Sequence, residues 1–261
     1  MILSVKVDNI EMEYFKFGFG NKTMILIPGV SIKSVMESEK IVSDAYSNFS
    51  PDFTVYVFDR KKHMKSSYSI FDMADDTIRI IEKLGLKNIY LAGASEGAMI
   101  ALVISYKRPD LVKKLSVNSA TACVTNDYYL FFDELIKNAK NKKLNLVVDL
   151  FMKNVYSKEL YEKTKDSMAP FIESINDADI NNFIIESEAL KGFDIIGDIK
   201  NIKCDTLIIA SKLDLIFNYK DSVNISKIIK NSKLYIYDNY GHALYDEAPD
   251  FKERVYDFFL N

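Results

Sequence analysis

The pentapeptide Gly93-Ala94-Ser95-Glu96-Gly97 carries the sharpest chemistry in the chain. The apolar run Ile89-Tyr90-Leu91-Ala92 precedes it, and an apolar segment over 98–106 follows. G-x-S-x-G between a strand and a helix is the pattern of a nucleophile elbow. The turn is too tight for bulky neighbours and leaves the Ser95 hydroxyl exposed. The helix behind it supplies unpaired N–H groups and the positive end of a dipole. Without those flanks the same residues would read as an ordinary turn with a serine N-cap.

A serine hydroxyl is a weak nucleophile until a base takes its proton. The chain has two histidines. His63 ends the basic stretch Arg60-Lys61-Lys62-His63 and reads as a solvated loop residue. His242 lies in Asn239-Tyr240-Gly241-His242-Ala243, just after an apolar run at 234–237. That is a strand end, where parallel sheets gather functional groups. The imidazole in turn needs a carboxylate to hold its tautomer and stabilise its charged form. Asp214, in Ser211-Lys212-Leu213-Asp214 after the run at 206–210, is the best placed. The chain between it and His242 suffices for one helix and one strand, which brings both loops to the same side of a parallel sheet. Asp238 reads as a turn residue, and Asp127 is a weaker rival.

These residues need a scaffold, and the hydrophobic pattern supplies one. Residues 3–7 and 12–17 alternate around Asp8-Asn9, as in a hairpin. The runs at 24–27, 53–58, 89–92 and 206–210 are solidly apolar, as in strands buried on both faces. Shorter runs at 115–117 and 234–237 add two more. Helical spacing is read over 35–49, 71–84, 98–106, around 225–229, and over 249–260. This alternation predicts a parallel sheet with helices on both faces. Between 125 and 196 the strand signal is lost and the pattern is helical. One α/β domain over 1–124 and 197–261, interrupted by a helical insertion at 125–196, fits 261 residues better than two domains.

Composition excludes several function classes. With 34 Lys+Arg against 37 Asp+Glu, the formal charge is -3, which argues against nucleic acid as a partner. Two histidines and two cysteines, Cys123 and Cys204, leave no zinc-finger, thioredoxin-type or disulfide framework. They fit a reducing, cytoplasmic setting. The first residues lack a signal-peptide pattern, and no apolar run approaches the ~20 residues that span a bilayer. No membrane partner is expected.

Ser95, Asp214 and His242 in that order, with the elbow and the terminal Gly241-His242, resemble the α/β-hydrolase superfamily over essentially the whole chain. The resemblance implies a mainly parallel eight-stranded sheet with an antiparallel edge, and a helical cap at 125–196 over the site. It implies an acyl-enzyme pathway with Ser95 as nucleophile, His242 as base and Asp214 as its orienting acid. The oxyanion donors would be the amides of Glu96 and Val30, the latter in Pro28-Gly29-Val30-Ser31, where relatives often carry His-Gly-x. A second departure is Lys61-Lys62-His63-Met64-Lys65-Ser66, where relatives often have Gly-x-Gly-x-Ser. The Glu96 side chain reads as a favourable charge at a helix N-terminus. Of the aromatic and methionine residues in the cap, most would form its own core. Tyr128, Phe132 and Met152, with Gly29, would bind substrate.

The expected activity is hydrolysis of a small carboxylic ester or thioester, by a monomer or homodimer, with no cofactor and no metal. The fold also serves amide, peptide and C–C hydrolases, and proteins that bind ligands without turnover. Ser rather than Asp at the elbow argues against dehalogenase and epoxide hydrolase chemistry.

Overall fold

The computed structural model describes residues 1–261. The strands are β1 (Leu3–Val7), β2 (Ile10–Phe17), β3 (Lys22–Ile27), β4 (Phe53–Lys61), β5 (Ile89–Ala94), β6 (Val112–Asn118), β7 (Asp205–Ser211) and β8 (Ser232–Tyr237). They form one sheet in the order β1-β2-β4-β3-β5-β6-β7-β8. β1 pairs antiparallel with β2, and β2 with β4; every other pairing is parallel. The elbow strand β5 therefore lies in the interior, covered on both faces, which explains its unbroken apolar run.

The helices are α1 (Glu39–Ala45), α2 (Ile70–Lys83), α3 (Glu96–Lys107), α4 (Asn126–Lys140), α5 (Leu144–Val155), α6 (Lys158–Thr164), α7 (Ala169–Glu173), α8 (Asp177–Ala189), α9 (Tyr219–Ile228), α10 (Leu244–Glu247) and α11 (Phe251–Leu260). Strand alternation sorts the core into two layers. Ile25, Ile27 and Leu91 face Met73, Ile80, Met99 and Leu102 of α2 and α3. Their neighbours Met24, Leu26, Tyr90 and Ala92 face Phe251, Val255 and Phe259 of α11 on the other side. α3 is buried from Glu96 to Ser105 because it packs against α2, β5 and β6 together.

Two local expectations change. The segment 35–49 is three short turns, with 3-10 turns at Val35–Ser38 and Ser47–Phe49 flanking α1. No residue of α1 is buried, so no apolar face holds a longer helix together. β4 runs on through Asp59 and Arg60 to Lys61, because Met12 of β2 still pairs with Lys61 across the sheet edge. The chain then turns with His63 at φ 56, a left-handed position that replaces the glycine turns of the resembled family.

Helices α4 to α8 all lie between β6 and β7. Their buried residues Phe132, Leu135, Val147, Val148 and Phe183 belong to the same continuous core as the α2 and α3 layer. The insertion therefore shares the core of the sheet domain rather than forming a separate one. No helix is long and apolar enough to cross a membrane.

Candidate active site

Ser95 sits between the end of β5 and the start of α3 at φ 54, ψ -123. That backbone costs of order 1–3 kcal/mol for a residue with a side chain and must be held by its surroundings. The Ser95 N–H donates to Asn118 O at 2.9 Å, and Ser95 O accepts from the amides of Ala98 and Met99 at 3.0 and 3.2 Å. Asn118 Nδ2 donates to Gly93 O at 2.8 Å. The flanking glycines are required by contact. A Cβ on Gly97 would lie 2.1 Å from Ile27 O, and one on Gly93 would lie 2.3 Å from Gly97 O.

His242 and Asp214 come from the loops after β8 and β7. His242 Nδ1 lies 2.8 Å from Asp214 Oδ2, and both side chains are almost wholly buried. A carboxylate only accepts, so Nδ1 carries the proton and Nε2 is left as the free base. The other carboxylate oxygen, Oδ1, accepts from the amides of Ile216 and Phe217 at 2.8 and 2.9 Å. Asp214 is thus locked by its own loop before it meets the imidazole. The Phe217 ring packs edge-on to His242 with centroids 5.6 Å apart. Ser119, at φ 50, donates its hydroxyl to His242 O at 2.6 Å. Ser119, Asn118 and Phe217 were not legible as site residues. The two rival carboxylates lie elsewhere: Asp238 pairs with Lys212 at the surface, and Asp127 is an exposed residue in the first turn of α4.

The β3–α1 loop lies against Ser95. A Cβ on Gly29 would come within 2.9 Å of Ser95 Cβ and 3.5 Å of its Oγ. Support for this loop comes from a residue the motif reading did not use. Arg60 Nη2 donates to Pro28 O at 2.7 Å and to Glu96 Oε2 at 2.5 Å. The Glu96 side chain is therefore not a solvated charge at a helix end. It is fully buried and ion-paired with Arg60. The physical reason is that α3 is enclosed on every side, so a carboxylate in its first turn must find a cation instead of water. A charge opening a helix with no polar face was the available signal. Burial works against the Arg60 guanidinium, but the charges of Glu96, Glu186 and Asp59 and the hydrogen bond to Glu96 together more than offset this and raise its pKa.

Ser95 and His242 line a slot of about 20 Å³ together with Val30, Phe132, Phe151 and Tyr245. That is room for about one water molecule. Val30, Phe151, Val155 and Tyr245 also wall a larger cleft of about 700 Å³, so the two spaces share a wall there. The cleft runs past Gly29 and Met152 towards Ala45 of α1 and Val255 of α11, and 19 of its 29 wall residues are hydrophobic. Its volume suits a small organic molecule, whereas the slot fixes where the reacting atoms would be. Val30, Phe132, Gly29 and Met152 thus lie on these walls. Tyr128 does not. It stacks edge-on to Phe217 at 5.3 Å, and its hydroxyl accepts from the Asn218 amide at 3.1 Å. Phe217 stands between it and His242, so Tyr128 braces the Asp214 loop from behind. Helix α5 touches the histidine loop directly: Ala243 N donates to Val155 O at 2.8 Å.

A family model described as alpha/beta hydrolase fold matches residues 22–249. A putative carbamate hydrolase RutD from Agrobacterium fabrum is 26% identical over 198 residues, covering 72% of this chain and 73% of that protein. Among solved structures, MGS-M2, an alpha/beta hydrolase enzyme from a Medee basin deep-sea metagenome library, superposes with a TM-score of 0.89. It is 22% identical, with 99% of this chain and 98% of that one covered. The enol-lactonase from Burkholderia xenovorans LB400 superposes with a TM-score of 0.85 at 16% identity, covering 99% of this chain and 100% of that one.

Proposed function

The chain belongs to the alpha/beta hydrolase fold family, and from that premise we propose that it is a serine hydrolase cleaving a small carboxylic ester or thioester through an acyl-enzyme. The observation that carries the reading is the meeting of Ser95 and His242 on one slot, with His242 Nδ1 2.8 Å from Asp214.

In this reading Ser95 Oγ attacks the carbonyl carbon while His242 Nε2 takes the hydroxyl proton. The carbonyl oxygen becomes an oxyanion held by the amides of Val30 and Glu96; the Glu96 amide has no earlier carbonyl of its own helix to bond. The tetrahedral species collapses, and His242 gives its proton to the departing alcohol or thiol. A water molecule, deprotonated by the same nitrogen, then attacks the ester carbonyl on Ser95 and releases the acid. Asp214 keeps Nδ1 protonated throughout and offsets the imidazolium charge. The apolar part of the substrate lies in the cleft beside Met152 and Gly29. The chemistry asks for no metal or organic cofactor, and we place it in the cytoplasm, in keeping with two unpaired cysteines.

A fluorophosphonate probe tests the reading. It should phosphonylate Ser95, add one adduct mass to the native protein, and leave Ser95→Ala unmodified. Absence of labelling, or equal labelling of Ser95→Ala, refutes it. A panel of p-nitrophenyl esters, acyl thioesters, carbamates and lactones then selects the carbonyl class.

A further inference from the structure

The large cleft is apolar along most of its wall, but not where α10 and α11 border it. Five polar residues gather on that side: Tyr46 after α1, Tyr156 after α5, Tyr245 and Asp246 of α10, and Lys252 of α11. Lys252 Nζ donates to Tyr245 O at 2.7 Å and lies 5.7 Å from the centre of the Tyr46 ring. Asp246 directly follows Tyr245 in the chain, and its Oδ2 accepts from the Tyr156 hydroxyl at 3.4 Å. Tyr245 also walls the slot with Ser95 and His242, so one residue borders both the reacting atoms and this polar end.

The bonding at this end is unfinished. Elsewhere on the wall the protein satisfies its own polar groups. Lys33 is held by Glu37 and Ser174 at 2.7 and 3.2 Å, and the Thr164 hydroxyl donates to Leu160 O at 2.8 Å. Lys252 has its one carbonyl and no carboxylate in ion-pair contact, so most of its donor capacity is unused. Asp246 Oδ1 accepts from nothing in the protein. The Tyr46 and Tyr245 hydroxyls also lack protein partners, and neither oxygen is sealed from water. Burial lowers the Lys252 ammonium, against the pull of Asp246. Asp246 keeps contact with water, yet the protein around it raises its carboxyl despite Lys252 and the Tyr156 bond. The two opposite charges therefore feel each other without being joined.

An occupant of this end must suit a cation and an anion side by side. A carboxylate gains from Lys252 but faces Asp246, and an ammonium gains from Asp246 but faces Lys252. Attraction and repulsion then largely cancel, while the lost hydration is not recovered. An alkyl end would take water from both charges and return no hydrogen bond. A neutral group with a donor and an acceptor suits both, accepting from Lys252 and donating to Asp246 through charge-assisted bonds. We propose that this end of the cleft recognises an uncharged hydroxyl or carboxamide, and that Lys252 and Asp246 select substrates carrying such a group on the acyl tail. A site built on such bonds discriminates strongly against analogues that lack them. That the group belongs to a substrate rests on the acyl-transfer reading; that the cleft binds it does not.

Two measurements separate these statements. The first uses p-nitrophenyl esters with acyl chains of increasing length, each ending in methyl, hydroxyl, carboxamide, carboxylate or ammonium. At the length that reaches α11, kcat/KM should be about tenfold or more higher for hydroxyl or carboxamide than for the other ends. Lys252→Met should favour the ammonium end over the carboxylate end by about tenfold, and Asp246→Asn should do the reverse. The second titrates the matching methyl esters into Ser95→Ala in a calorimeter, where the affinities should rank in the same way. A native kcat/KM ranking without a preference for neutral polar ends at any length overturns the proposal, as does a ranking that neither variant shifts. Should a variant fail to fold, the native ranking decides. If fluorophosphonate leaves native Ser95 unlabelled, the hydrolase reading fails and the calorimetric ranking still tests the site. Affinities that do not favour the neutral polar ends overturn the site itself.

Discussion

Asp214 and His242 are 28 positions apart in the chain and 2.8 Å apart in space, with Asp214 Oδ1 tied to two backbone amides and Oδ2 left for the imidazole. The division of labour between the two oxygens makes a specific prediction. Asp214→Asn keeps the shape but presents an amide able to favour the wrong tautomer of His242. In a serine hydrolase kcat should fall by about 10³–10⁴-fold with little change in KM. Asp214→Ala should also strip the acceptor from Ile216 and Phe217 and lower the melting temperature, which Asp214→Asn should do less. Steady-state kinetics and thermal melts of the two variants check both halves.

The elbow glycines make a prediction about folding rather than rate. Gly97→Ala puts a methyl 2.1 Å from Ile27 O, and the backbone atoms there cannot rotate away. Overpacking of this kind costs typically 1–3 kcal/mol and more where only backbone can yield. The variant should lose several degrees of melting temperature. Gly29→Ala meets Ser95 Cβ at 2.9 Å instead. In the acyl-transfer reading it should cost less stability and more activity, because the displaced atom carries the Ser95 hydroxyl. Equal stability losses in the two would contradict this account.

The difference between these glycines and Glu96 explains what could be read in advance. G-x-S-x-G and the Asp214 and His242 loops are local signals, each a polar residue at the end of an apolar strand run. The parallel order of the sheet followed from the same runs, because a strand buried on both faces has no polar alternation. Arg60 and Glu96 are 36 residues apart and sit in segments that look solvated: a Lys- and Arg-rich loop and a helix start. Nothing local says that β4 continues three residues further, or that α3 is enclosed so that its first residue must find a cation. Tyr128 shows the same limit from the other side. The family resemblance put an aromatic residue of the insertion near the site, but only the packing of Phe217 decides that it faces the Asp214 loop and not the cleft.

Stability should also report the buried carboxyls. Burial raises both Glu186 and Glu96, so between the ordinary carboxylate range and their native values the folded chain binds more protons than the unfolded one. The contribution of these groups is therefore most favourable at acid pH, below the unfolded pKa, and declines as pH rises through that window. Denaturant unfolding of the native protein should show this decline, and Glu186→Gln should flatten it. A variant whose stability falls as steeply as the native protein over that range would locate the effect elsewhere.

The histidine loop is gripped by the insertion at Gly241 and Ala243. A Cβ on Gly241 would lie 2.6 Å from the carbonyl carbon of Tyr156 and 2.7 Å from Ser157 N, next to the Ala243 N to Val155 O bond. Gly241→Ala should push α5 and α6 away from the loop and move His242. A shift of about 1 Å at a general base can cost on the order of 100-fold in rate. Kinetics should show the loss in kcat, and proteolysis should open first between α5 and α6. Unchanged kcat would mean that the insertion does not position the base.

In the acyl-transfer reading the cleft sets the length of substrate that the slot can serve. Ala45 is an exposed small residue on its α1 wall, so Ala45→Trp fills space without disturbing the buried core. Each buried methylene contributes about 0.8 kcal/mol, so denying two of them to an acyl chain should lower kcat/KM about tenfold or more for that ester. An acetyl ester, too short to leave the slot, is the internal reference. Met152→Ala enlarges the cleft from the α5 side and should favour longer or bulkier chains. If both variants change all chain lengths by the same factor, the substrate does not occupy the space between α1, α5 and α11. The chemistry at Ser95 would then be served through the slot alone, by molecules small enough to pass Phe132 and Phe151.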